Sequence, residues 1–198
     1  MGKIYFFYET TARRFSNFSS CTVYDPELDD WFELASMKTA RSEASCTVFQ
    51  GQCVVAGGHA DGIRILKSVE SYDHHLDEWS FLPSSMRVER IGSGLLSKGN
   101  KMFVIGGDRP SCESKHEVYD CLTKKFTFIA SSPSFHHFNK HLFTTGHKIF
   151  VFDTLCNDDP LHGYVDIPTY DTVKNKWFKT SKRLLTEERL WNFSIVVL

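Results

Sequence analysis

No stretch of the 198 residues shows helical periodicity, and no apolar run is long enough to span a bilayer. Strands and turns are left as the building units. Six cysteines (Cys21, Cys46, Cys53, Cys112, Cys121, Cys156) form no CxxC pair and no spacing of a small secreted domain, so reduced thiols and a cytoplasmic location are expected. Neither sequon, at Asn17 or Asn192, is preceded by a signal peptide, and Phe6 stands where a myristoylation motif requires Ser or Thr. Charge of one sign is also missing. With 23 Lys and Arg against 24 Asp and Glu, the net charge of -1 gives no electrostatic case for nucleic acid or an anionic membrane.

The groups that carry chemistry are absent as constellations. Gly57-Gly58 and Gly106-Gly107 are followed by neither GxGxxG nor a Lys-Ser/Thr context, which excludes a nucleotide loop. There is no Ser-His-Asp order and no glycine elbow. His74-His75 and His136-His137 invite a metal, yet no further His or Cys stands at useful spacing, and adjacent residues of a strand point to opposite faces. Asp29-Asp30 and Asp158-Asp159 sit in turn-like surroundings where Asp is expected on conformational grounds. The chain therefore reads as non-catalytic, with no metal and no cofactor.

What is present is a repeat. Tyr-Asp occurs at Tyr24-Asp25, Tyr72-Asp73, Tyr119-Asp120 and Tyr170-Asp171, and seven residues beyond each tyrosine stands an aromatic: Trp31, Trp79, Phe126 and Trp177. The tyrosines are 48, 47 and 51 residues apart, a period near 50 that marks a repeat architecture. Two apolar runs that precede this pattern end in Gly57-Gly58 and Gly106-Gly107; at the corresponding places the first and fourth units have IYFFYE and IFVFDT.

These residues resemble the kelch family of β-propellers, in which a hydrophobic strand ends in Gly-Gly and is followed by a tyrosine and, about seven residues later, a tryptophan. The second unit, GGHADGIRILKSVESYD, is especially similar to repeats of the BTB-kelch adaptors. The resemblance implies an all-β, kelch-type propeller of four repeats, each a four-stranded antiparallel blade, in one domain over 1–198. The repeats run approximately 1–36, 37–85, 86–133 and 134–182. Short strands are expected throughout, among them 3–7, 21–24, 53–56, 69–72, 93–96, 102–105, 149–152 and 166–170. The first unit has three strands, and the family's habit implies that a closing strand within 190–198 completes it. Four repeats leave three arrangements open: a tight ring, an incomplete or truncated larger propeller, and an open array that pairs with another chain. The glycine pairs are expected to serve close backbone approach, and Tyr24, Tyr72, Tyr119, Tyr170, Trp31, Trp79, Phe126 and Trp177 to pack between blades.

In adaptors of this family, arginines in the loop between successive blades contact acidic peptides. The residues in register here are Arg41, Arg90, His137 and Arg189, two of them in a Met-x-x-x-Arg pattern from Met37 and Met86. Arg41 and Arg90 are equally readable as loop caps paired with Glu43 and Glu89 on a solvated rim. His59, Asp61 and Arg64, with Asp108 and Arg109, would line the same mouth. By resemblance the function is protein–protein recognition like that of substrate adaptors of cullin-dependent ubiquitin ligases; without a BTB segment, the expectation is that the chain binds a target alone, joins a ligase only through a full-length BTB-kelch protein, or acts as a decoy. The alternative is actin binding or cytoskeletal scaffolding.

Overall fold

The computed structural model describes residues 4–7, 19–61, 63–107, 114–132, 140–153, 164–165, 167–179 and 184–185. All but four of its strands fall into four antiparallel sheets, laid down one after another and called blades 1 to 4; the other four form two two-stranded pairs. Blade 1 has three strands in chain order, β1 (Ile4–Phe7), β2 (Cys21–Asp25) and β3 (Asp30–Leu34). Blade 2 begins with β4 (Ser45–Phe49) and β5 (Gln52–Ala56), is interrupted by a hairpin of β6 (His59–Ala60) and β7 (Arg64–Ile65), and ends with β8 (Val69–Asp73) and β9 (Glu78–Phe81). Blade 3 consists of β10 (Gly94–Lys98), β11 (Lys101–Ile105), β12 (Glu117–Asp120) and β13 (Lys125–Phe128). Blade 4 contains β14 (Lys140–Thr145) and β15 (Lys148–Asp153), followed, after a short β16 (Tyr164–Val165), by β17 (Pro168–Asp171) and β18 (Lys176–Lys179); β16 pairs apart with β19 (Leu184–Leu185).

Local turn chemistry explains the meander. Phe49 pairs with Gln52 across the two-residue loop Gln50-Gly51, whose φ angles of 51° and 77° suit a type I′ turn. The corresponding hairpins of blades 3 and 4 turn at Gly99 and Gly146, each at positive φ in the first central position. Between the last two strands of every blade, the Asp after the repeat tyrosine caps the turn. Asp73 Oδ1 accepts from the N–H of His75, Asp120 from Leu122, Asp171 from Val173 and Asp25 from Glu27.

The blades pack face to face, so a central strand must be apolar on both sides. In β5, Val54 and Ala56 join Met86, Met102, Val104 and Phe126 on the blade 3 side, whereas Cys53 and Val55 join Cys21, Met37 and Trp79 on the blade 1 side. β11 divides likewise, Met102 and Val104 toward blade 2 and Phe103 and Ile105 toward Ile149, Val151 and Tyr170 of blade 4. Three apolar layers thus separate four sheets. The innermost strands β4, β10 and β14 run beside one another, and the hydroxyl of Ser45 bonds to the Ser93 carbonyl.

Several strand bounds depart from the expected ones. The inner strand of blade 3 spans Gly94–Lys98 rather than 93–96, because pairing with β11 continues to the turn at Gly99. In blade 4 the third strand begins at Pro168, and Asp166 lies outside the described residues. The expected closing strand within 190–198 also lies outside them. Two-residue strands β6 and β7, inside the loop expected to follow Gly57-Gly58, escaped the period-2 pattern because they are too short to show one.

Candidate protein-binding face

The glycine pairs sit where two blades touch through main chain. A Cβ at Gly57 would lie 2.5 Å from the carbonyl oxygen of Arg90, and one at Gly58 2.5 Å from that of Ser42. Both residues also have positive φ, 67° and 94°, as do Gly106 and Gly107. Close approach allows the loops to interlock. Ser42 and His59 exchange two main-chain hydrogen bonds, Gly58 N–H donates to Arg90 O, Arg90 N–H to Leu66 O, and Gly92 N–H to Glu43 O. One face of the array is therefore a woven surface made from the chain around 42–44, 57–68 and 86–92.

Arg41 and Arg90 hold this weave from beneath. Arg41 donates from Nη1 to Gly57 O at 2.7 Å and Ser68 O at 3.2 Å, and from Nη2 to Glu70 Oε1 at 2.5 Å. Arg90 repeats the pattern toward Gly106 O, Lys115 O and Glu117 Oε1. Each carboxylate takes two further bonds from the incoming loop: Glu70 from the N–H groups of Lys38 and Thr39, Glu117 from those of Arg87 and Val88. The ion-pair side chains are 1% and 0% exposed in blade 2 and fully buried in blade 3. This corrects the expectation that Arg41 and Arg90 contact a peptide or sit on a solvated rim. Their carboxylate partners are Glu70 and Glu117 rather than Glu43 and Glu89, since low-dielectric burial demands a partner with all its lone pairs engaged. In blade 4 the glutamate's position is occupied by Pro168, and its partner in register, His137, lies outside the described residues with Arg189, Asp108 and Arg109.

A second repeated device joins the blades at their outer ends. Tyr72 donates to Asp77 Oδ1 at 2.7 Å, and Tyr170 to Asn175 Oδ1 at 2.8 Å; Asp77 and Asn175 both occupy left-handed backbone near φ 49°. The same oxygens accept main-chain N–H groups of the preceding blade, from Ala35 and Ala130, each at 2.8 Å. Indole N–H groups then reach the carbonyls of those same residues, Trp79 to Ala35 at 2.9 Å and Trp177 to Ala130 at 2.7 Å. Each clamp thus grips both polar groups of one residue. At the register position between blades 2 and 3 stands Pro83, which has no N–H, and the clamp's residues there are Lys124 and Phe126. Ser84 Oγ instead donates to Lys124 O. Blade 1 has Tyr24, Asp29 and Trp31, and there Trp31 is 51% exposed where Trp79 is 1%.

Of the mouth residues read from sequence, the structure brings His59, Asp61 and Arg64 together on the β6–β7 hairpin. His59 Nδ1 lies 3.4 Å from Glu43 Oε2, and Arg64 pairs with Asp61 at 3.2 Å with both side chains mostly exposed. Between them projects Ile63, 85% exposed. Sequence reasoning missed Ile63, although an isoleucine beside a turn glycine was the available signal, and it named Glu43 only as a partner of Arg41. His74 and His75 stack at 3.9 Å, and no cluster of three metal-ligating side chains occurs among the described residues.

Successive antiparallel sheets of three or four strands, packed face to face, define a propeller-type scaffold. The Kelch motif matches residues 40–86 and 89–133, which are blades 2 and 3 with their incoming loops. These two stretches are kelch repeats, and the relatives similar to this chain include kelch-like proteins. Beta-scruin of Limulus polyphemus is 39% identical over 85 residues, 43% of this chain and 9% of that protein. Kelch-like protein 41b of Danio rerio is 37% identical over 90 residues, 45% of this chain and 14% of that protein. The matches thus span less than a sixth of either relative. A solved structure, that of YjhT, shares the fold with a TM-score of 0.66 at 16% identity, over 82% of this chain and 59% of that one.

Proposed function

We propose that the chain is a non-catalytic protein-interaction module that grips an extended segment of a partner at the face carrying the β6–β7 hairpin, in the manner of a ligase substrate adaptor. The observation that supports this reading is the contrast between what is buried and what is offered. Arg41, Arg90, Glu70 and Glu117 are consumed in fixing the loops, while the side chains of Ile63, Arg64, Asp61 and Glu43 are exposed. An apolar side chain flanked by charges on a rigid support suits a peptide with one apolar anchor and a neighbouring acidic residue for Arg64.

The test is capture from lysate by the native chain and by an Ile63→Asp, Arg64→Glu double variant, with binding of the captured partner's purified segment then measured by calorimetry. The expected result is a partner retained by the native chain and bound at least about tenfold more weakly by the variant, with an unchanged unfolding midpoint, because both side chains are exposed. Equal binding by both versions sinks the assignment of this face. Actin as the retained protein, with co-sedimentation on filaments, would replace the adaptor reading by the scaffold reading.

A further inference from the structure

The net charge of -1 averages over an uneven distribution at the end of the sheets opposite the β6–β7 hairpin. That hairpin follows Ala56, which pairs with Val69, whereas the turns at 50–51 and 74–77 leave the other end, beyond Cys53 and Tyr72. At this other end the last row of blade 3 reads Lys101, Asp120, Lys125 across three paired strands, and that of blade 4 reads Lys148, Asp171, Lys176. Strand spacing puts the two lysines of one row about 10 Å apart. Lys98 pairs with Lys101, and Lys124 and Lys174 stand in the adjoining turns. Over 98–101, 120–125, 146–148 and 171–176, seven lysines thus stand against two aspartates.

The carboxylates in these rows are spent on turn amides rather than on the lysines. Asp120 Oδ1 accepts from the N–H groups of Leu122 and Thr123, Asp171 Oδ1 from those of Val173 and Lys174, and Asp171 Oδ2 lies 3.4 Å from His147 Nε2. Lys101, Lys125, Lys148 and Lys176 are exposed, and none of them forms an ion pair among the described residues. The hairpin tips are stitched into one support: Gln50 Nε2 donates to Gly99 O at 3.1 Å, and Lys98 Nζ to Thr144 Oγ1 at 3.2 Å and to Gly146 O. Leu122 and Val173 project from it, 76% and 78% exposed. The patch also has an edge. Blade 2 has no Lys or Arg at 50–52 or 73–78; Asp73 and Asp77 stand there, both held below the ordinary carboxylate value by main-chain N–H donors, and Glu78 pairs with Lys38.

We propose that the lysine rows of blades 3 and 4, with Leu122 and Val173, form a second protein-binding surface, which takes a short acidic segment carrying aliphatic residues. Charge complementarity selects the acid, and the two projecting side chains select the aliphatic neighbours. The extent of the patch selects a short segment: an anionic bilayer or a long polyanion would run on over Asp73 and Asp77 of blade 2 and be repelled there. Nucleic acid is disfavoured a second time, since 98–101, 120–125, 146–148 and 171–176 contain no Phe, Tyr, Trp or Arg on which bases could stack. This surface lies at the far end of the sheets from Ile63 and Arg64 and does not rest on the function proposed for them.

The experiment is fluorescence anisotropy of a labelled Glu-rich peptide carrying two leucines, titrated with the native chain and with a variant combining Lys101→Glu, Lys125→Glu, Lys148→Glu and Lys176→Glu. All four side chains are exposed, so the unfolding midpoint should be unchanged; the same four positions changed to Gln serve if charge reversal unsettles the fold. The native chain is expected to bind the peptide, more weakly as salt rises, and the variant to bind it at least about tenfold more weakly. Leu122→Ser with Val173→Ser should weaken binding of this peptide several-fold and leave binding of an all-Glu peptide unchanged. No binding by the native chain at low salt, equal binding by the lysine variant, or equal loss of both peptides in the Leu122 and Val173 variant would overturn the proposal. So would tighter binding of phosphatidylserine vesicles or of a DNA duplex than of the peptide at the same salt.

Discussion

At the scale of the residue, two features of the repeat have separate jobs that its sequence pattern alone does not separate. The Asp following each tyrosine caps a turn within its own blade, while the Asp or Asn five residues past the tyrosine reaches across to the neighbour. Asp77 shows the electrostatic consequence. The Ala35 N–H, then the Tyr72 hydroxyl, stabilise its carboxylate and hold its pKa below the ordinary 3.8. A folded-state pKa below the unfolded one means that its contribution is present at neutral pH and is lost as pH falls below the ordinary carboxylate value. Asp77→Asn retains the acceptor, as Asn175 does in blade 4, so its acid-unfolding curve should be flatter below about pH 4 than that of the native chain; a parallel curve would show that the bond across blades has no energetic weight. Burial acts oppositely on thiols, raising Cys21 to about 11 and Cys53 to about 12, so both are protonated at neutral pH.

At the scale of the element, each incoming loop is anchored to the third strand of the blade it enters. β8 supplies Glu70 and β12 supplies Glu117, and both carboxylates are saturated by two loop N–H groups and one guanidinium. Glu117→Ala leaves Arg90 charged and buried with two loop amides unpaired, and should cost about 3–5 kcal/mol by denaturant unfolding. Adding Arg90→Met to it should recover part of that loss, because the uncompensated charge is gone. A double variant less stable than the single one would contradict this account of the pair. The β6–β7 hairpin depends on the same anchoring, since Arg41 bonds to the carbonyls on either side of it, at Gly57 and Ser68.

At the scale of the whole molecule, stability is distributed as neighbour-to-neighbour layers, in keeping with repeat proteins generally. β5 and β11 are apolar on both faces and buried from their second residue onward, whereas β3 is largely exposed along its length. Amide hydrogen exchange should therefore be slowest in β5 and β11 and much faster in β3. Uniform protection across the blades would argue for a closed, fully cooperative ring.

The sequence by itself determined the repeat, its period, the strand order within each blade and the kelch character of its repeats, because Tyr-Asp, the following aromatic and the glycine pairs are local signals tied to turn dihedrals and strand periodicity. Gly57-Gly58 could be read as a site of close approach without coordinates, since only glycine permits such φ values beside a neighbouring carbonyl. Which side chains face a ligand was not legible. Arg41 and Arg90 look like exposed recognition residues in one dimension, and only the packing of β8 and β12 against the loops brings Glu70 and Glu117, 29 and 27 residues away in sequence, into the same buried network. Likewise Trp31 and Trp79 are equivalent in the repeat. Tertiary structure alone decides that one is sealed between blades and the other faces outward, because burial belongs to the neighbour a residue meets and not to the residue itself.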